Sequence, residues 1–181
     1  AYALEVLALK AGLPQDVLLN ISGDAVEVGK TLCESNVVRK LSFTGSTPVG
    51  RILMQQCAPS IKKLSLELGG NAPVIIFDDA NLEQAVAGIM ASKFRNSGQT
   101  CVCANRIYVQ AGIYDQLTER LTQVVAGLRV GDGREDGVTQ GPLIDERAVA
   151  KVQSHIDDAT QKGAKVEIGG KLAPQGGTFF E

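Results

Sequence analysis

An α/β fold built on parallel strands is what this sequence predicts, on three observations. Short runs rich in Val, Ile and Leu alternate with longer stretches of helical period. Gly and Pro punctuate most of the junctions between them. The run Pro73-Val-Ile-Ile-Phe77 is continuously apolar, as expected of a strand buried on both faces of a sheet. Alternating strand and helix favours parallel pairing, because each crossover helix returns the chain to the end of the sheet where the previous strand began.

Taken in order, Ala3 to Ala11 has apolar spacing that suits a helix, ended by Gly12 and Pro14, since Pro cannot continue the hydrogen-bond ladder. Val17 to Ile21 is expected as a strand, Asp24 to Ser35 as a helix and Val38 to Phe43 as a second strand. Thr47 to Cys57 follows as a helix and Lys62 to Leu66 as a third strand. The glycine pair Gly69-Gly70 interrupts this pattern, and Pro73 to Phe77 restarts it. Asn81 to Phe94 then reads as a helix, Arg106 to Gln110 as a strand, Ile113 to Leu128 and Asp145 to Lys162 as helices, and Val166 to Ile168 as a last strand. Gly131 to Pro142 is a Gly-rich, charged loop. There is no internal repeat and no low-complexity tract, and the boundary between two α/β units is expected near Leu68 or Gly69.

The 181 residues, 44% hydrophobic and 21% charged, are ordinary globular composition, which excludes a disordered or fibrous class. A net charge of -2 with no run of Lys or Arg gives no electrostatic reason for a nucleic acid or an anionic membrane surface as partner. The apolar stretches Ala72 to Phe77 and Ala85 to Met90 fall far short of the roughly 20 residues of a membrane helix, so a soluble protein is expected. Ala1 to Ala11 lacks the basic head and cleavage site of a secretory signal, and with Ala rather than Met in first place the chain looks cut from something longer. Its four Cys, at 33, 57, 101 and 103, do not form a secreted disulfide framework; a reducing cytoplasm with free thiols is the expectation.

Three segments carry candidate chemistry. Phe43-Thr-Gly-Ser-Thr-Pro-Val-Gly50 follows a strand and opens a helix. Gly45 and Gly50 permit close backbone approach, and the free amides of the helix start, with the Ser46 hydroxyl, suit a phosphate. The same turn serves equally as a helix capped by Ser46 or Thr47 with no ligand, and it matches neither G-x-G-x-x-G nor a Walker loop. Glu67 closes a strand in Leu64-Ser-Leu-Glu-Leu-Gly-Gly70, where ligands collect in open α/β folds. In an apolar pocket such a carboxylate becomes a base near neutral pH; left in solvent it is only a strand-end charge. Asn96-Ser-Gly-Gln-Thr-Cys101-Val-Cys103 sets a thiol in an open, amide-rich turn, which lowers a thiol's pKa and favours a nucleophile. An inert thiol, a redox pair or half of a metal site are the other readings; zinc needs two further ligands, and the one His, His155, stands in a charged helical stretch without a companion, so no metal is expected.

The F-T-G-S-T-x-x-G turn, the E-L-G-G strand end and the G-Q-x-C loop, in this order, resemble the aldehyde dehydrogenase superfamily. So do the separation of base and thiol, Ala3 to Pro14 ending Ala-Gly-Leu-Pro, and Gly131 to Leu143, so that the resemblance covers the full chain. It implies a parallel-sheet fold in which residues 1–68 are the second part of a Rossmann-type NAD(P)-binding domain and residues 69–181 the first part of the catalytic domain. It also implies that Gly45, Ser46 and Gly50 lie near the pyrophosphate of NAD or NADP, Thr44 and Leu68 near the nicotinamide, with Cys101 as covalent nucleophile and Glu67 as general base.

Within the family, Lys93 to Cys103 and Asn71 to Asp79 resemble the succinate-semialdehyde dehydrogenases in particular. That implies a carboxylate-bearing aldehyde as substrate, held by Arg95 through a bidentate pair; glutarate semialdehyde, a neutral aldehyde, or a non-catalytic module of the same fold are the alternatives. In that subfamily the Cys two residues after the nucleophile pairs with it under oxidation, which makes Cys103 a redox-partner candidate. A homodimer or homotetramer is implied for the whole enzyme. Since the family's oxyanion Asn, cofactor lysine and first βαβ half find no match here, the 181 residues alone are expected to give no aldehyde-dependent NAD(P)H formation in a spectrophotometric assay.

Overall fold

The computed structural model describes all 181 residues, which fold as two compact units, Ala1–Leu68 and Gly69–Glu181. The first unit runs α1 (Tyr2–Lys10), α2 (Ala25–Glu34), β1 (Lys40–Thr44), α3 (Thr47–Cys57) and β2 (Lys63–Glu67). The second runs β3 (Ala72–Ile76), α4 (Leu82–Lys93), β4 (Ala104–Val109), α5 (Ala111–Ala126) and α6 (Glu146–Gln161). Each holds one parallel pair, β1 with β2 and β3 with β4, joined through a crossover helix as the alternation requires. No helix is long and apolar enough to cross a membrane.

Local chemistry sets the helix starts. Asp24 caps α2 by accepting the Val26 and Glu27 N–H groups at 2.9 and 3.0 Å, Asn81 caps α4 through Gln84 N–H at 3.0 Å, and Asp145 caps α6 through Ala148 N–H at 2.9 Å. In the first unit α2 and α3 close over β1 and β2, burying Cys33, Leu41, Leu53 and Cys57. In the second, α4 and α5 cover one face of β3 and β4, burying Ile76, Val86, Ile89, Ile113 and Leu117. Removing a side chain such as Ile89, which is 1% exposed, would leave a cavity costing about 2–5 kcal/mol.

Three expectations need correction. Val17 to Ile21 is not a strand: a strand needs a partner, and this segment finds none, its Asn20 N–H going instead to Glu5 Oε2 at 2.9 Å. Val166 to Ile168 is not a strand either; the pairing nearby is a single antiparallel bridge between Leu172 and Phe180. The apolar run Pro73 to Phe77 is buried on one face only, with Ile76 in the core and Ile75 and Phe77 about 60% exposed, because helices of this unit cover a single side of the pair. The remaining elements lie within two residues of their expected limits, α3 matching them at both ends.

Where β1 and β2 start, Lys62 is buried and its ammonium donates to Ser35 O and Val38 O at 2.7 and 2.6 Å, satisfying a carbonyl at the end of α2. Beside it, burial first and the adjacent Cys57 thiol second push the Cys33 thiol from an ordinary 9.0 up to about 11. The unfolded chain releases that proton near 9.0 and the folded chain keeps it to about 11, so this contribution to stability is whole below pH 9.0 and declines as pH rises toward 11. Urea midpoints measured across that interval are expected to fall, and Cys33→Ala to flatten the decline from a lower baseline; an equal slope in the variant would contradict the assignment.

Candidate active site

At the C-terminal edge of the first parallel pair, Thr44 stands opposite Glu67, and the ladder gains one further bond where Gly45 N–H donates to Glu67 O at 3.0 Å. The turn then enters α3 through Ser46, extended at φ -74 and ψ 147, whose side chain makes no capping bond. Its hydroxyl is therefore free for a ligand. The first amides of α3 lack intrahelical acceptors, apart from Pro48, which has no N–H to satisfy. Thr44, Gly45 and Ser46 are exposed, as an anion site at a helix N-terminus requires.

The glycines have a second reason to be there. A Cβ at Gly45 would stand 2.4 Å from Phe43 Cζ, and one at Gly50 would stand 2.6 Å from Leu68 Cδ2. The space each glycine leaves is filled by a side chain of the same unit, so the donors the turn leaves unpaired are the Ser46 hydroxyl and the helix-start amides. Gly50 and Leu68 are thus in contact, and six of the expected residues, Thr44, Gly45, Ser46, Gly50, Glu67 and Leu68, gather at one strand edge. Glu67 itself is exposed, and the apolar pocket expected around it is not formed by its own unit.

In the second unit α4 gives way to the turn Arg95–Gly98, where Asn96, Ser97 and Gly98 have φ of 52, 54 and 75 in succession. Left-handed backbone in the two non-glycine residues costs on the order of 1–2 kcal/mol each. This turn delivers Cys101 to the surface, whereas Cys103 is 1% exposed and its thiol donates to Lys93 O at 3.7 Å. Neither is in a disulfide, and Cys103 would have to leave its buried seat to reach its neighbour. Arg95 is exposed and forms no salt bridge, so its guanidinium is available to an external anion.

Two residues without an expected role prove to be built into the loop. A Cβ at Gly70 would lie 2.5 Å from the Cys101 carbonyl oxygen, a backbone atom that cannot rotate away, so the second glycine of E-L-G-G is what lets the Cys101 loop pass. Gln99 bonds through its side chain to Pro142 and Ile144. Both stand in the motifs that carried the resemblance, and that was the available signal.

With this geometry in view, the sequence profile described as the aldehyde dehydrogenase family matches residues 1–181. The chain belongs to the aldehyde dehydrogenase family. This aldehyde dehydrogenase chain is 61% identical over 181 residues to the NADP(+) succinate-semialdehyde dehydrogenase GabD of Escherichia coli (strain K12), covering 100% of the chain and 38% of that protein. It is 61% identical over 181 residues to the glutarate-semialdehyde dehydrogenase of Pseudomonas putida, covering 100% of the chain and 37% of that protein. The crystal structure of an E. coli NADP dependent enzyme superposes with a TM-score of 0.96 at 61% identity, covering 98% of the chain and 37% of that structure. The chain therefore spans well under half the length of these relatives.

Burial separates the four thiols sharply, since Cys33, Cys57 and Cys103 are each 1% exposed and Cys101 is open. Titration of the native protein with a water-soluble disulfide reagent is expected to modify one thiol promptly, mapped to Cys101, and the other three only on denaturation. Prompt modification of any buried thiol would count against the described packing.

Proposed function

We propose that the whole protein carrying this chain is an NAD(P)-dependent aldehyde dehydrogenase that oxidises a carboxylate-bearing aldehyde, succinate semialdehyde first among them, to the acid. The observation that carries this reading is the exposure of Cys101 alone among the thiols, on a loop seated against Gly70. Residues 1–68 serve as the C-terminal part of the cofactor-binding domain and residues 69–181 as the N-terminal part of the catalytic domain.

Each group then has a role. Ser46, with the α3 amides, would hold the pyrophosphate of the cofactor, and Thr44 and Leu68 would face its nicotinamide end, Gly45 and Gly50 allowing the turn its shape. NAD or NADP held there would supply the hydride acceptor. The Cys101 thiolate adds to the aldehyde carbon, forming a C–S bond and an oxyanion, the thiohemiacetal. Loss of hydride from that carbon leaves a thioester on Cys101. Glu67 takes a proton from water, the hydroxide adds to the thioester carbonyl, and the C–S bond breaks to release the carboxylic acid and the thiolate. Arg95 pairs with the distal carboxylate and so orients the aldehyde toward the sulfur.

Steady-state and burst kinetics of the whole protein test this. Cys101→Ser is expected to abolish turnover. Glu67→Gln is expected to retain a rapid burst of about one NAD(P)H per site and then stall, since only thioester hydrolysis has lost its base. Arg95→Ala is expected to lower kcat/KM for succinate semialdehyde by about 10- to 100-fold, the worth of a lost charge-assisted pair, with little change for a neutral aldehyde of similar length. Equal losses for charged and neutral aldehydes would remove Arg95 from its role.

A second reading has a specific observation behind it: the glutarate-semialdehyde dehydrogenase relative matches this chain at 61% identity, as the succinate-semialdehyde enzyme does. The two substrates differ by one methylene, a difference an enzyme resolves by roughly 10- to 200-fold. The ratio of kcat/KM for the two semialdehydes decides between them.

A further inference from the structure

Gln99 stands two residues before Cys101, and its carboxamide is committed to the main chain of a segment far along the sequence. Its Oε1 accepts the Ile144 N–H at 3.0 Å, while Nε2 donates to Pro142 O and to Asn96 O, each at 3.4 Å. Beside it Ser97 Oγ donates to Gly141 O at 3.2 Å, and Asn96 Nδ2 closes the turn onto Gln99 O at 3.1 Å. The receiving segment is itself held. Gln140 bridges Val130, Leu143 N–H donates to Thr178 O at 2.9 Å, and Asp145 caps α6. The amide of Gln99 thus reads the 142–144 backbone as a neighbouring strand would, accepting at one residue and donating at another. Glutamate can only accept, asparagine is a methylene shorter, and methionine offers no donor and only a weakly accepting sulfur.

An exposed thiol has no burial to fix it, and the turn leading to it, Asn96-Ser97-Gly98, is left-handed throughout. Something must hold that turn closed. We infer that Gln99 is a positioning residue for Cys101, clamping the nucleophile loop to the Pro142–Ile144 strap so that the sulfur stays where the aldehyde meets it. The inference rests on the proposed role of Cys101. Displacing a nucleophile by about 1 Å costs on the order of 100-fold in rate, so a clamp of this kind acts on kcat rather than on substrate binding.

The test compares Gln99→Ala and Gln99→Glu in the whole protein. Gln99→Ala is expected to lower kcat about 10- to 100-fold with KM for the aldehyde within about twofold, and Gln99→Glu, which keeps the acceptor for Ile144, to recover part of the loss. Independently of turnover, hydrogen exchange at the Ile144 amide is expected to quicken about tenfold or more in Gln99→Ala and to stay close to wild type in Gln99→Glu. Unchanged kcat or unchanged Ile144 exchange in Gln99→Ala overturns the inference, as does an equal loss in both variants. Should the wild-type protein oxidise no aldehyde, the functional reading falls, and Ile144 exchange alone still decides whether the clamp operates.

Discussion

The first unit depends on the register of one parallel pair. With Thr44 opposite Glu67 and Gly45 N–H extending the ladder onto Glu67 O, the Gly45–Ser46 turn and the Glu67 carboxylate leave the sheet side by side. A slip of one residue in either strand would send Glu67 to the opposite face, because side chains alternate along a strand. The register is set from below by a small core in which Leu41 and Leu53 pack with two thiols, and by Lys62 tying the start of β2 to the carbonyls after α2. An exposed, polar edge is thus located by a buried, mostly apolar one.

The second unit solves a different problem, holding a thiol at the surface. Cys101 gains no stability from its own side chain, so its neighbours are constrained instead: Gly70 abuts its carbonyl, Gln99 is bonded two residues before it, and Cys103 is sealed in the core two residues after. Four chemically identical thiols are made unlike by position alone. Burial keeps Cys33 protonated and shields Cys57 and Cys103, while the only thiol left open is the one in the G-Q-x-C loop.

Glycine illustrates how one motif serves two ends. In F-T-G-S-T-x-x-G the glycines make room for Phe43 and Leu68 as much as for any ligand, and in E-L-G-G the second makes room for a peptide carbonyl. These contacts join residues in different motifs, Gly50 with Leu68 and Gly70 with Cys101, so the motifs of this chain depend on one another physically.

Much of this was legible in the sequence because it is local. Helical period, the helix starts at Asp24, Asn81 and Asp145, the strand and helix alternation, and the separate local motifs around Gly45, Glu67 and Cys101 are each readable within a few residues of themselves. What only the tertiary structure decided is non-local. Val17 to Ile21 and Val166 to Ile168 have strand-like composition but no partner, and strand hydrogen bonds come from a partner. Ile75 and Phe77 look like core residues, yet helices cover one face of their strand. The positions of Gly70 under Cys101 and Gln99 on Ile144 rest on contacts across about 30 and 45 residues of chain, a separation that no local pattern of apolar and polar residues encodes.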